Sequence, residues 1–120
     1  MRSIATKYEE ISAFSGKPKE CDHHLIFGTG MRPLADADGV WIPLLDREHN
    51  MSSKGTIHQI HGNPAAEKLS KMLGEVVWER QYLAEKLAYI RHDGLDYKDV
   101  DEWKEEAREK FRSRYGQNFL

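Results

Sequence analysis

Apolar residues at helical spacing predict three helices, one near the start of the chain and two near its end. The first is predicted over residues 3–15 as an amphipathic helix, which Gly16 and Pro18 would end. Its apolar positions are Ile4, Tyr8, Ile11 and Phe14.

The long helix is predicted to open at Asn63-Pro64, since Asn is a favoured cap and Pro a favoured first helical residue. Gly94, after Arg91 and His92, is predicted to end it. Its apolar stripe comprises Ala66, Leu69, Leu73, Val76, Leu83, Leu87 and Ile90. The last helix is predicted to start after Asp99 and to end at Gly116. Its inner face would consist of Val100, Trp103, Ala107 and Phe111.

Two short runs of apolar and β-branched residues, 22–27 and 40–45, predict strands of a hairpin. The connection GTGMRPLADADG reads as a loop, and the polar stretch 46–62 as a loop with one or two helical turns. The pattern therefore predicts an α+β fold in a single domain. It would consist of an N-terminal helix and linker (1–20), a hairpin core (21–62) and a two-helix C-terminal extension (63–120).

Composition limits the classes of protein to which the chain can belong. The formal net charge is −2, so nucleic acid would have to be bound by local contacts or through a metal ion. The single cysteine, Cys21, excludes an internal disulfide and a four-cysteine zinc site. The sequence shows no signal peptide and no apolar run of about 18 residues, which predicts a cytoplasmic protein without membrane contact.

Five of the six histidines lie within 39 residues. Neutral imidazole is a common ligand for transition metals, and a catalytic site needs about three protein ligands, an open position and a separate base. The cluster can supply all of these, although a His-rich surface or a structural zinc site would leave the same pattern. Its members are His23, His24, His49, His58 and His61; His92 stands alone, where it would cap a helix end.

Three motifs carry a resemblance to a known family. They are CDHHLIFG at 21–28, IPLLDREHN at 42–50 and GTIHQIHG at 55–62. Together they resemble the HNH nucleases, also called ββα-metal or His-Me finger nucleases. The closing run FRSRYGQNFL, residues 111–120, resembles the tail of small HNH proteins encoded by phages and prophages.

The resemblance implies a ββα-metal hairpin core that holds one divalent ion, which would be zinc, magnesium, manganese or nickel. It implies that His24 is the general base. The implied metal ligands are His23, His49 and His58, with Asp22 and His61 as alternative ligands. Arg32 and Lys54 would contact the substrate phosphate.

The chain departs from the family pattern at three points. Leu45 and Glu48 replace the cysteines of an auxiliary zinc knuckle. The family's central asparagine falls near Val40, so Asp38 or a backbone group would have to substitute for it. His49 and His58 lie nine residues apart, which keeps His61 open as the third ligand, although His58 is favoured.

The resulting expectation is a metal-dependent endonuclease or nickase that acts on DNA in phage or prophage DNA processing or recombination. The expected location is the host cytoplasm. The candidate partners are a recombination or packaging protein and a second copy of the chain. The alternative is a non-catalytic, metal-stabilised binding module of a phage recombination, replication or packaging complex.

Overall fold

The computed structural model describes residues 1–50, 59–90 and 97–120. Two antiparallel strands are followed by helices, so the predicted α+β class is confirmed. The elements in chain order are β1 (Cys21–His24), α1 (Arg32–Asp38), β2 (Trp41–Leu44), α2 (Asp46–His49), α3 (Pro64–Ile90) and α4 (Tyr97–Tyr115).

The hairpin forms where the apolar runs predict it, with shorter strands. His23 of β1 lies opposite Ile42 of β2. The prediction of a loop between the strands is wrong, because the connection contains helix α1. Pro33 suits the first turn of this helix, and Gly39 ends it in the left-handed conformation at φ 74°.

The prediction of an N-terminal helix over residues 3–15 is also wrong, because this segment is irregular. The hydroxyl of Ser3 accepts hydrogen bonds from the backbone N–H groups of Ala5 and Thr6, at 3.1 and 3.2 Å. The hydroxyl of Ser12 does the same for residues 14 and 15. Such local bonds compete with the helical ladder. The backbone N–H of Ile4 is instead bound to the carbonyl of Gly39, at 2.8 Å.

The two long helices confirm the prediction. The Asn63 side chain accepts a hydrogen bond from the Ala66 N–H at 3.3 Å, as expected for a helix cap. Ala107 and Phe111 of α4 are fully buried, and Gly116 follows the helix with φ 84°. The predicted end signals of α3, namely Arg91, His92 and Gly94, lie outside the described residues.

The face that α3 turns toward the core is not its leucine stripe. The buried positions are Ser70, Gly74, Glu75 and Val77, whereas Leu69 is 64% exposed. A Cβ atom on Gly74 would lie 2.5 Å from Cγ1 of Ile26, so only glycine permits this approach. The small side chains let α3 pack closely against the end of β1, and close packing outweighs the greater hydrophobicity of the leucine face.

The C-terminal residues fold back onto α3 through a buried carboxylate. Glu75 is fully buried and accepts hydrogen bonds from the backbone N–H groups of Phe119 (2.5 Å) and Leu120 (3.2 Å). The Asn118 amide donates to the same carboxylate at 3.0 Å. The tail therefore helps to fix α3, which contributes two of the contacts described below.

Candidate metal centre

Three histidines from three different elements converge beside the hairpin. His23 lies on β1, His49 ends α2, and His61 lies just before α3. One ring nitrogen from each can be chosen so that all three lie within 4.8 Å of one another. The ring centroids are 4.6–5.2 Å apart.

Backbone hydrogen bonds place His61 beside His49. The His61 N–H donates to the His49 carbonyl at 3.0 Å, and the Ile60 N–H donates to the Glu48 carbonyl at 2.9 Å. The Glu48 side chain is itself buried, and it accepts hydrogen bonds from the Ser12 hydroxyl and the Leu45 N–H, at 2.5 and 2.8 Å. Hydrogen bonding of the Glu48 carboxylate anchors the turn that presents His49.

The hydrogen bonds of His23 fix its tautomer. Its Nε2 lies 2.7 Å from the Ser70 hydroxyl, and that hydroxyl donates its one proton to the Leu25 carbonyl at 2.9 Å. Ser70 can therefore only accept from His23, so Nε2 carries the proton and Nδ1 has a free lone pair. This Nδ1 is buried and has no hydrogen-bond partner among the residues that the structure describes.

Burial and neighbouring charges favour the neutral form of two of the three rings, His23 and His49. Burial, and then the proximity of His49 and His61, lowers the pKa of His23 to about 3. Burial also lowers the pKa of His49, with further contributions from His61 and Arg32. Metal ions bind the neutral imidazole, so both rings are in the form that a metal requires.

A divalent ion fits this donor set. A buried polar atom without a partner costs free energy, and a metal at Nδ1 of His23 would remove that cost. Zinc binds imidazole nitrogen at about 2.0–2.1 Å, which sets nitrogen–nitrogen distances of about 3.3 Å in a tetrahedron. Nitrogens within 4.8 Å reach that spacing by small rotations of the rings. Three histidines also leave a fourth position for water or substrate.

Supporting contacts come from α3 and from a nearby aromatic ring. Glu67 Oε2 lies 3.3 Å from Nδ1 of His61, so this ring presents Nε2 toward the cluster. Carboxylates in this position orient metal-bound histidines and increase their basicity. Phe27 packs against both His23 and His61, with ring centroids 5.7 and 4.6 Å apart, and limits the access of water from that side.

His24 belongs to a separate, adjacent constellation. Consecutive residues on a strand point to opposite faces, so His24 points away from the pocket of His23. Its Nε2 lies 3.1 Å from Oδ1 of Asp36, and the Arg32 Nε–H donates to its Nδ1 at 3.3 Å. Asp36 and Arg32 both lie on α1, the helix that the sequence had not predicted. The positive charge of Arg32 contributes to the lowered pKa of both His23 and His49.

The structure brings only some of the predicted site residues together. His23, His49 and His61 come together, whereas His58 and Lys54 lie outside the described residues. The Asp22 carboxylate pairs with the Lys19 ammonium at 2.9 Å. The Asp38 carboxylate binds the Arg114 guanidinium instead of the His24 ring.

Sequence reasoning missed Ser70, Glu67 and Asp36. Ser70 and Glu67 lie three residues apart on α3, on the side of the helix that meets the histidines. A signal was present, since polar residues interrupt the face of α3 that packs on the hairpin. That signal can be interpreted only once it is known which face of α3 is buried.

Comparison with protein-family models, with curated proteins and with solved structures found no match. No helix in the described ranges is long and apolar enough to cross a membrane.

Proposed function

We propose that the chain is a metal-dependent nuclease that hydrolyses phosphodiester bonds in DNA, with the metal held by His23, His49 and His61. The observation that carries the proposal is the buried lone pair on Nδ1 of His23, which lacks a partner within the described residues and belongs to a cluster of three imidazoles. The choice of nuclease over other metal chemistry rests on the HNH-like motifs of the sequence.

The proposed core is of the ββα-metal type. The hairpin β1–β2 supplies His23 and the candidate base, and α3 packs against the end of β1 through Ser70. A bound divalent ion supplies Lewis-acid stabilisation of charge on a phosphate oxygen and on the leaving oxygen. The chain itself would supply the ligands and limit the access of water on the Phe27 side, and His24, which follows His23 on β1, is the candidate base.

His24 has the contacts expected of that base. Because the Arg32 Nε–H donates to Nδ1, this nitrogen holds a lone pair, and the proton on Nε2 faces Asp36. Arg32 is exposed and can exchange the imidazole for a phosphate, which frees Nδ1 to take a proton from water. The Asp36 carboxylate then stabilises the imidazolium, as a carboxylate does in other histidine-based sites. Asp36 would thus fill the role of the asparagine that Val40 replaces.

A second function, a non-catalytic module stabilised by the metal, is favoured by one observation. Both ring nitrogens of His24 have partners in the structure, so neither is free to activate water. In this reading the ion ties β1, α2 and α3 together, and the histidines have only a structural role.

A plasmid-nicking assay with magnesium, manganese, nickel or zinc separates the two functions. We expect the wild type to nick DNA with at least one of these ions. We expect His24→Ala to lose 100-fold or more in rate, on the order of the usual contribution of a general base, while it still binds metal. Asp22→Asn is the matched control, because the carboxylate of this neighbouring β1 residue pairs with Lys19 and, among the described residues, is not grouped with the three histidines.

Each outcome decides between readings. Metal binding without cleavage under any of these conditions would reject the nuclease and favour the structural module. Cleavage that survives His24→Ala would reject His24 as the base. Failure of the wild type to bind any of the four ions would reject both functions.

A further inference from the structure

An apolar ridge runs along the solvent side of α3. Its members, here called the α3 ridge, are Leu69, Leu73, Val76, Leu83 and Leu87. The intervals between them alternate between four and three residues when Arg80 is included in the row. Leu69 is 64% exposed, Leu73 45%, Val76 47% and Leu87 50%. This 4–3 alternation is the spacing of a coiled-coil seam, in which one helix packs along another.

The fold leaves this ridge uncovered because it uses the other sides of α3. Ser70, Gly74 and Val77 face the hairpin. On the opposite flank, Glu79 pairs with Arg108 of α4, and Lys86 pairs with Glu106 of α4. The ridge lies between these two flanks and extends about 27 Å from Leu69 to Leu87 at 1.5 Å per residue.

We propose that the α3 ridge is the interface of a homodimer, in which α3 of one copy packs antiparallel against α3 of a second copy. A second copy presents a ridge with the same 4–3 spacing, so the seams of the two copies can interlock. A helix without this repeat would match only part of the ridge.

Charge selects the antiparallel direction. In a parallel pair, Arg80 would meet Arg80 of the second copy, which places two like charges in the seam. In an antiparallel pair with Val76 against Leu87 of the second copy, Arg80 meets Leu83 of that copy. Its guanidinium meanwhile remains on the Ile4 carbonyl, 2.9 Å away on its own chain.

The same antiparallel register places opposite charges at the margin of the seam. Glu79 of each copy faces Lys86 of the other. These contacts would join the Glu79–Arg108 and Lys86–Glu106 pairs of each copy into one network. Complementary charges at these flanking positions are the usual determinants of partner and orientation in paired helices.

The size of the ridge suits the centre of such an interface. A fully exposed leucine side chain offers on the order of 150 Å², so the four ridge side chains that are about half exposed give roughly 300 Å² of apolar surface per copy. A standard interface covers about 800 Å² per partner, with its apolar residues at the centre and charged residues at the rim. The ridge would provide that centre, and the charged flank next to α4 would provide the rim.

The oligomeric state of the full chain tests the proposal. Light scattering coupled to size exclusion should give twice the chain mass for the wild type at micromolar concentration. Leu73→Glu and Leu87→Glu should each weaken dimerisation at least tenfold in sedimentation experiments. Phe14→Glu is the matched control, since Phe14 is 51% exposed but lies away from α3, and it should leave the dimer intact. Circular dichroism confirms that each variant is folded.

Disulfide mapping in a Cys21→Ser background tests the direction. An equimolar mixture of Val76→Cys and Leu87→Cys chains should form a mixed disulfide, because these positions meet only in the antiparallel register. Val76→Cys alone should crosslink poorly. Strong crosslinking of Val76→Cys alone would show a parallel pair and overturn the proposal. A wild type that stays monomeric would overturn it as well, and would indicate that the ridge binds a different protein. Ridge variants that dimerise like the wild type would also overturn it.

Discussion

The bond from Ser70 to His23 gives the sharpest test of the metal centre. Ser70→Ala removes a hydroxyl that is 6% exposed and serves two groups, His23 Nε2 at 2.7 Å and the Leu25 carbonyl at 2.9 Å. Both groups would be left buried without this partner. At about 1–3 kcal/mol for each unsatisfied buried group, the expected loss of unfolding free energy for the two groups is about 2–6 kcal/mol.

The same change should reduce metal affinity by a separate route. Without Ser70, the His23 ring is free to carry its proton on Nδ1, which is the nitrogen proposed to bind the ion. Loss of such a supporting contact usually lowers metal affinity about 10–100-fold, which equals roughly 1.4–2.7 kcal/mol. Competition with a chromophoric chelator at pH 7 measures the affinity, and urea unfolding measures the stability.

Two control variants separate orientation of the ring from general destabilisation. Ser70→Thr keeps the hydroxyl and should retain nearly wild-type affinity for the metal. Phe111→Leu weakens the core away from the histidines and should lower stability without a comparable loss of affinity. If Ser70→Ala binds zinc as tightly as the wild type does, Ser70 does not set the tautomer of His23, and the argument from the free Nδ1 fails.

Three further predictions concern the third ligand, pH and the hairpin connection. His61→Ala should lower zinc affinity at least 100-fold in the same chelator competition, whereas His58→Ala should change it less than threefold; the reverse order would replace His61 by His58 as the ligand. Burial, and then a hydrogen bond with Glu75, raises the pKa of Glu79 to about 7. The folded state therefore binds this proton more tightly than the unfolded state does, so the associated stability is complete below about pH 4.5 and is lost as pH rises through about 7. Relative to the wild type, Glu79→Gln should become more stable as pH rises from 4.5 to 8 in urea unfolding, and a constant difference would contradict the raised pKa. Gly39→Ala should lower the unfolding free energy by about 2–4 kcal/mol, since the residue has a positive φ and a Cβ there would lie 2.2 Å from the Arg2 carbonyl oxygen; a change below about 1 kcal/mol would show that the N-terminal segment moves aside easily.

The local chemistry of the chain was sufficient to predict much of the fold. Apolar periodicity predicted both long helices, and the Asn63-Pro64 pair predicted where α3 begins. Two short runs of apolar and β-branched residues predicted the hairpin. The density of histidines predicted a candidate metal site, because few other roles use several imidazoles in a short stretch of sequence. These features depend on neighbours in sequence, so they can be interpreted without knowledge of distant contacts.

Tertiary structure decided which face and which partner each residue uses. The N-terminal apolar pattern has helical spacing, yet the hydroxyls of Ser3 and Ser12 bind nearby backbone N–H groups and keep the segment irregular. The leucine stripe of α3 predicts an apolar face, but Gly74 lets the opposite side approach Ile26, which leaves the leucines exposed. Periodicity alone cannot compare the packing of two faces.

The grouping of His61 with His23 and His49 likewise depends on long-range contacts. It requires the backbone bond from His61 to His49 and the packing of α3 against β1. Sequence alone therefore determined the histidine composition of the candidate site and the strand that carries His23 and His24. The fold determined which three rings converge and which nitrogen of His23 is free, because both depend on hydrogen bonds between residues far apart in the chain.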